Sequence, residues 1–167
     1  MVPPPSPTLA EFQNFITTVM AVPATALPSN SPVIAMAFAV ALGIVNRALR
    51  AVCIPSHDAA GASLNVGGIT VFSLAVYNLA ADNLINFAAD QPGETYFKDL
   101  RKSFNTLGFV SGVISGSSDE GTSQTLVVQE AAKAFTLSNI QSLKTPYGRT
   151  YLSLAQSYGP STFGITR

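Results

Sequence analysis

The sequence predicts an all-α protein, a small helical bundle of four to six helices with a long flexible loop or short β-hairpin near 106–125 and an extended C-terminal tail. Two observations carry this. Apolar residues recur at three- and four-residue spacing in successive segments separated by Pro and Gly, and several of these segments open with helix-start signals. A length of 167 residues suits a single core, so residues 8–158 are taken as one helical domain, 1–7 as an extended arm and 159–167 as a docking tail.

The arm, VPPPSP, has fixed φ and missing donors and reads as a polyproline-like segment. Thr8 and Glu11 fit a capping box that starts the first helix at Leu9. Its apolar positions Leu9, Phe12, Phe15, Ile16, Val19 and Met20 form one stripe expected to be buried, and Pro23 ends it. Ser31-Pro32 is a second start, with Ser as N-cap and Pro at N1, and this helix is expected to run to about Val52. Its first half is apolar all round, which predicts burial on most sides. Arg47 and Arg50 would complement the dipole near its C-terminal end, and Pro55 would stop it.

A turn-rich stretch, PSHDAAGASLNVGG, precedes a third helix expected from Ile69 to Ala89, with Phe72, Val76, Leu79, Asn83 and Phe87 near one face. Asp90-Gln91-Pro92-Gly93 closes it, and Glu94 to Phe104 forms a short charged fourth helix. Residues 106–125 are rich in Gly and Ser and cannot hold a stable helix, although GFVSGVI has the composition of a short strand. Further helical segments are expected from Gln124 to Phe135 and near Ser138 to Leu143. A last helix beginning near Pro146 aligns Tyr147, Tyr151, Leu154 and Tyr158 down one face, with Gly159-Pro160 terminating it.

Nine Lys+Arg balance nine Asp+Glu, and charged residues make up only 11% of the chain, against about 25% in an ordinary domain. Neutrality excludes a basic nucleic-acid binder of the usual kind. Together with 47% hydrophobic residues, the charge deficit predicts a surface partly covered by partner subunits. The N-terminal residues do not read as a signal peptide, and the lone Cys53 rules out an intramolecular disulfide or a multi-Cys metal site, so a reducing compartment is expected. Positions 12–46 carry no charge, but Pro23, Pro28 and Pro32 divide the run. Its longest apolar piece, the 13 residues Val33–Val45, falls short of the roughly 20 needed to span a bilayer.

Catalytic constellations are not found. Ser56, His57 and Asp58 are the residue types of a hydrolase triad, yet adjacent side chains diverge and a triad must converge. Cys53 beside them reads as a small buried hydrophobe. One His cannot build a multi-histidine metal site, Asp119-Glu120 read as solvated acids, and Asn65-Val66-Gly67-Gly68 is not a phosphate loop. Lys98, Arg101 and Lys102 form a small basic patch that Glu94 and Asp99 partly cancel. No catalytic residue, metal or cofactor is therefore assigned, and an enzyme is not expected.

The segment Lys144 to Leu152 continues as YGRTYLSLAQSYG, which is physically a turn, a Pro-led helix start and an aromatic stripe. Lying after several helices and a polar loop, it resembles the head-to-tail adaptor (head completion, neck) proteins of tailed bacteriophages. The likeness is loose over the helical body and closer over Lys144 to Gly164. The resemblance implies a structural virion protein at the head-to-tail interface, assembled in the host cytoplasm. It would form a homo-oligomeric ring of twelve copies as a connector between the portal protein and a tail or nozzle protein. Genomic DNA would only pass through the channel, and no membrane or catalysis is involved. Carried onto this chain, it makes Phe163, Ile165 and Arg167 the portal-docking residues of the tail, and Ser115, Ser117, Asp119 and Glu120 the loop facing a neighbour or the tail. The alternatives are another tail-completion or minor virion protein and, less favoured because of the short apolar run and its prolines, a holin-type membrane protein.

Phe163 and Ile165, two apart, would share one side of an extended segment. Deleting Ser161 to Arg167 is accordingly expected to leave the helical circular-dichroism signal intact but to abolish portal attachment, yielding tailless heads by electron microscopy. Particles that keep their tails and full infectivity would remove the tail from the docking role.

Overall fold

A computed structural model describes residues 6–52, 70–106, 117–119, 122–124 and 141–158. The described part is mainly helical: α1 (Leu9–Thr18), α2 (Pro32–Ile44), a short 3-10 helix (Arg47–Ala51), α3 (Val71–Phe87), α4 (Tyr96–Ser103) and α5 (Pro146–Tyr158). Two three-residue strands, β1 (Ser117–Asp119) and β2 (Thr122–Gln124), pair antiparallel, while GFVSGVI, 108–114, lies outside the described residues. The expected helix over Gln124 to Phe135 lies outside the described residues except for Gln124, which is in β2. Of the segment near Ser138 to Leu143 only the last three residues are described, the tail 159–167 not at all.

The capping box of α1 forms as read. Thr8 Oγ1 accepts from the Glu11 amide at 3.2 Å, and Glu11 Oε2 accepts from the Thr8 amide at 3.2 Å. Glu11 Oε2 also accepts from the Tyr77 hydroxyl at 2.6 Å, so the cap ties α1 to α3. The buried row of α1 is Phe12, Ile16 and Met20 with Phe15 half-buried, whereas Leu9 and Val19 are exposed. The helix stops at Thr18, short of the expected Pro23, so Val19 is its C-cap and not a position of its stripe, and Ala21 just beyond has a positive φ of 52°.

Two expectations for α2 are corrected. It ends at Ile44 instead of continuing to Val52, because Val45 and Asn46 are extended and Asn46 Oδ1 accepts from the Ala48 amide at 2.9 Å, capping the 3-10 helix instead. A short amide side chain competes well for nearby backbone groups, which favours such a break. Arg47 and Arg50 therefore sit on the 3-10 helix, where the Arg50 guanidinium lies 4.6 Å over the Phe72 ring. Burial of α2 is also one-sided: Ile34, Ala37, Phe38 and Ala41 face the core while the opposite face is open. Ser31 occupies the N-cap position, but its side chain makes no cap bond.

The all-round burial expected of α2 belongs to α3. Helix α3 packs most extensively on α2 and α5, and also meets the 3-10 helix, α4 and α1. Its buried residues go round the whole circumference and include Ser73, Asn78 and Asp82, so the single face read from sequence is too narrow. Phe87, assigned to that face, is exposed and Asn83 is half-buried. Thr70 caps α3 through its hydroxyl, which accepts from the Ser73 amide at 3.0 Å.

Helix α4 is set by one acid. Asp90 accepts from the amides of Phe97 at 2.7 Å and Lys98 at 3.0 Å, in the first turn of α4. Arg101 approaches the same carboxylate at 3.7 Å and donates to the carbonyls of Ile85 at 2.9 Å and Ala88 at 2.6 Å, satisfying the open end of α3. Gly93, at φ 89°, supplies the left-handed residue in the turn between them.

The core joins these elements through Phe12, whose ring lies 5.8 Å from Phe38, 6.2 Å from Tyr77 and 6.5 Å from Phe15, so it contacts α1, α2 and α3 together. Phe12→Ala is expected to lower stability by about 3–4 kcal/mol, read as a drop in the urea midpoint at unchanged slope.

Candidate functional site

Of the loop residues singled out from sequence, Ser117 and Asp119 are the end residues of β1, opposite Gln124 and Thr122. Ser115 and Glu120, the tail residues Phe163, Ile165 and Arg167, and the Cys53, Ser56, His57, Asp58 group all lie outside the described residues. The small basic patch is reduced by the fold: Arg101 is drawn onto Asp90, and Asp99 accepts from the Thr95 hydroxyl at 2.8 Å. Lys98 and Lys102 remain exposed. Among the described residues no group of three or more His, Cys, Asp and Glu side chains is placed to hold a metal ion, and no helix is long and apolar enough to cross a membrane.

Two features were not found from sequence. The first is an exposed apolar face on α2. Met36 is 48% exposed, Val40 38% and Ile44 59%, one every four residues along the helix. Beside them Ala35, Ala39 and Gly43 form a second exposed row, and a Cβ added at Gly43 would meet nothing within 4 Å. Pro32 to Ile44 holds no charged residue, so nothing ionic interrupts the face. The available signal was the row of small residues at four-residue spacing, which marks one side of an apolar helix as different from the other.

The second is a buried polar cluster between α3 and the start of α5. Asp82 is only 3% exposed and Thr145 fully buried. The Thr145 hydroxyl donates to Asp82 Oδ1 at 2.5 Å and accepts from the Gly148 amide at 2.9 Å, so the residue that caps α5 is itself held by the central helix. Burial pushes the Asp82 carboxyl up to about 6, against the opposing pull of hydrogen bonds from Thr145 and Ser142. Around this cluster, Gln141 Nε2 reaches Asn86 Oδ1 and the Thr106 carbonyl, each at 3.4 Å, and Lys144 Nζ reaches the same carbonyl at 3.3 Å. A lone acid inside VFSLAVYNLAADNLINF was the sequence signal for it.

The aromatic stripe of α5 is placed in part. Tyr147, Tyr151 and Leu154 pack on the core, half-buried, with Tyr147 edge-on to Phe15 at 6.3 Å, while Tyr158 is exposed and lies beyond the packed stretch. Burial raises the Tyr147 and Tyr151 phenols above their ordinary range, which keeps both neutral. The Asp82 carboxylate thus takes its hydrogen bonds from two hydroxyls, those of Thr145 and Ser142, which join α3 to the start of α5. No known protein family matches the chain, and no curated protein or solved structure is significantly similar to it.

Gly148 shows how closely α5 is seated. A Cβ at this position would stand 2.0 Å from the Ser142 carbonyl oxygen, a backbone atom that cannot swing aside. Gly148→Ala is expected to cost at least about 2 kcal/mol, despite the ordinary preference for Ala in a helix. Chemical denaturation measures it, and a neutral or stabilising result would show that the joint is loose.

Proposed function

We propose that the chain is a non-catalytic assembly subunit, and more narrowly a head-to-tail adaptor of a tailed bacteriophage that closes into a ring of twelve copies between portal and tail. The observation that carries this reading is the exposed face of α2, where Met36, Val40 and Ile44 leave a charge-free apolar stripe open to solvent. A ring subunit buries two side faces as well as its upper and lower surfaces, which accounts for a chain with only 11% charged residues. The narrower assignment rests on the adaptor-like segment YGRTYLSLAQSYG, of which Tyr147–Tyr158 is helical and packs its first turns on the core. In this reading the α2 face meets a neighbouring copy, and 159–167 meets the portal. DNA passes a channel lined by neutral or mixed side chains, where tight phosphate binding would hinder movement.

The paired substitution Met36→Glu with Ile44→Glu tests the face. Both sites are exposed, so each change is expected to shift folding stability by no more than about 0.5 kcal/mol. Association of purified subunits, followed by native mass spectrometry and sedimentation, is expected to weaken at least about 100-fold. A wild-type chain that stays monomeric at high concentration, both alone and with portal rings, would sink the assembly reading. A closed ring that ignores portal would leave assembly standing and remove the adaptor assignment.

A further inference from the structure

We propose that Asp82, Ser142 and Thr145 form a proton-operated clasp that holds the start of α5 against α3 more tightly when Asp82 carries a proton than when it is ionised. The inference stands on the cluster itself and is independent of the adaptor reading. Asp82 lies in the middle of a helix buried on every side and is bonded to the residue that caps another helix. Detaching α5 exposes this carboxyl to water; docking α5 takes it out of water.

Among the described residues the charged and titratable groups on the surrounding elements either have other partners or, like Arg47 of the 3-10 helix, are exposed. Helix α2 has none. Glu11 of α1 is held by the Tyr77 hydroxyl, and Arg50 of the 3-10 helix lies on Phe72, ten positions before Asp82. Arg101 of α4 bridges Asp90 and the end of α3, while Lys98, Asp99 and Lys102 point to the exposed side. Beside the cluster, Lys144 reaches the Thr106 carbonyl, Arg149 donates to the carbonyls of Leu143 and Lys144, and Tyr147 and Tyr151 are neutral. The ionised Asp82 is supported by the hydroxyl dipoles of Thr145 and Ser142. The protonated form needs no counter-charge: Thr145 still donates to one oxygen, and the Ser142 hydroxyl can turn to accept from the other.

The direction follows from the carboxyl being raised in the docked state, from the usual 3.8 to about 6. The docked state binds the extra proton, so its added stability is complete below about 3.8 and is lost as pH rises through about 6. Hydrogen exchange of the full chain at pH 5 and pH 7.5, corrected for intrinsic rates, reads this at the Gly148 amide. Its opening constant is expected to rise about tenfold between the two pH values in the wild type and to stay flat in Asp82→Asn. Amides in the middle of α1 are expected to change little. Equal pH profiles in wild type and variant, or α1 amides losing protection in step with Gly148, would overturn the clasp. Should the variant fail to fold, carboxyl-carbon NMR titration of the wild type decides. A midpoint near 6 shared by Asp82 and the Gly148 amide supports the proposal, and a Gly148 amide that ignores the titration of Asp82 overturns it.

Discussion

Burial of α3 on every side is the constraint from which the other placements follow. A helix surrounded by protein can satisfy its polar side chains only from within, and stranding one, as at Asn83 Nδ2, costs on the order of 1–3 kcal/mol. Asn78 and Asn86 meet this locally by donating to the carbonyls of Leu74 and Asp82, one turn back, at 2.8 and 2.9 Å. Asp82 has no such local solution, since a carboxylate accepts and the carbonyls of its own helix cannot donate. Its donors must come from another segment. Ser142 and Thr145 supply them, which in turn decides where α5 begins and how closely Gly148 can approach the Ser142 carbonyl.

The same logic operates at the end of α3. Its last carbonyls would be left open, and Arg101 closes two of them while its carboxylate partner Asp90 caps α4. One acid and one base thus fix the angle at which the chain returns. On the opposite side, Glu11 completes its own cap and accepts from Tyr77, so the helix that starts the bundle is tied to the helix at its centre. Lowering of the Glu11 carboxyl by the Tyr77 bond keeps that acceptor ionised at neutral pH.

Local signals in the sequence were read correctly where the answer is decided within a few residues. Thr8 and Glu11 start α1, Pro32 opens α2 and Pro146 opens α5, because caps and proline act through covalent geometry and neighbouring amides. The errors lie where burial decides. Helices α2 and α3 are both strongly apolar, and composition cannot say which of them is enclosed; α3 is enclosed because α2 and α5 both pack on it. Hydrophobicity therefore overstated the burial of α2 and hid its outer face. Asn46 broke the helix expected to reach Val52 because its side chain found the Ala48 amide, a competition that periodicity does not register. Asp82 escaped notice because a single acid has meaning only with the residues sixty positions later that approach it.

The scarcity of charge and the open face of α2 are two sides of one arrangement. Glu11, Asp90, Arg101 and Arg149 are all bonded to backbone atoms within the fold, and Asp82 is buried. In a chain with nine charges of each sign, Asp82 is the one of these five that is buried, while Glu11 and Arg149 stay exposed as they cap or bridge backbone groups. What remains on the outer side of α2 is a stripe of apolar side chains at four-residue spacing with small residues beside it, across which another surface can approach without having to desolvate a charge. Burying an apolar stripe avoids the desolvation penalty that a buried charge must offset by pairing. Among the described residues, the backbone-bonded charges tie helix ends and turns together, and none of them lies on α2.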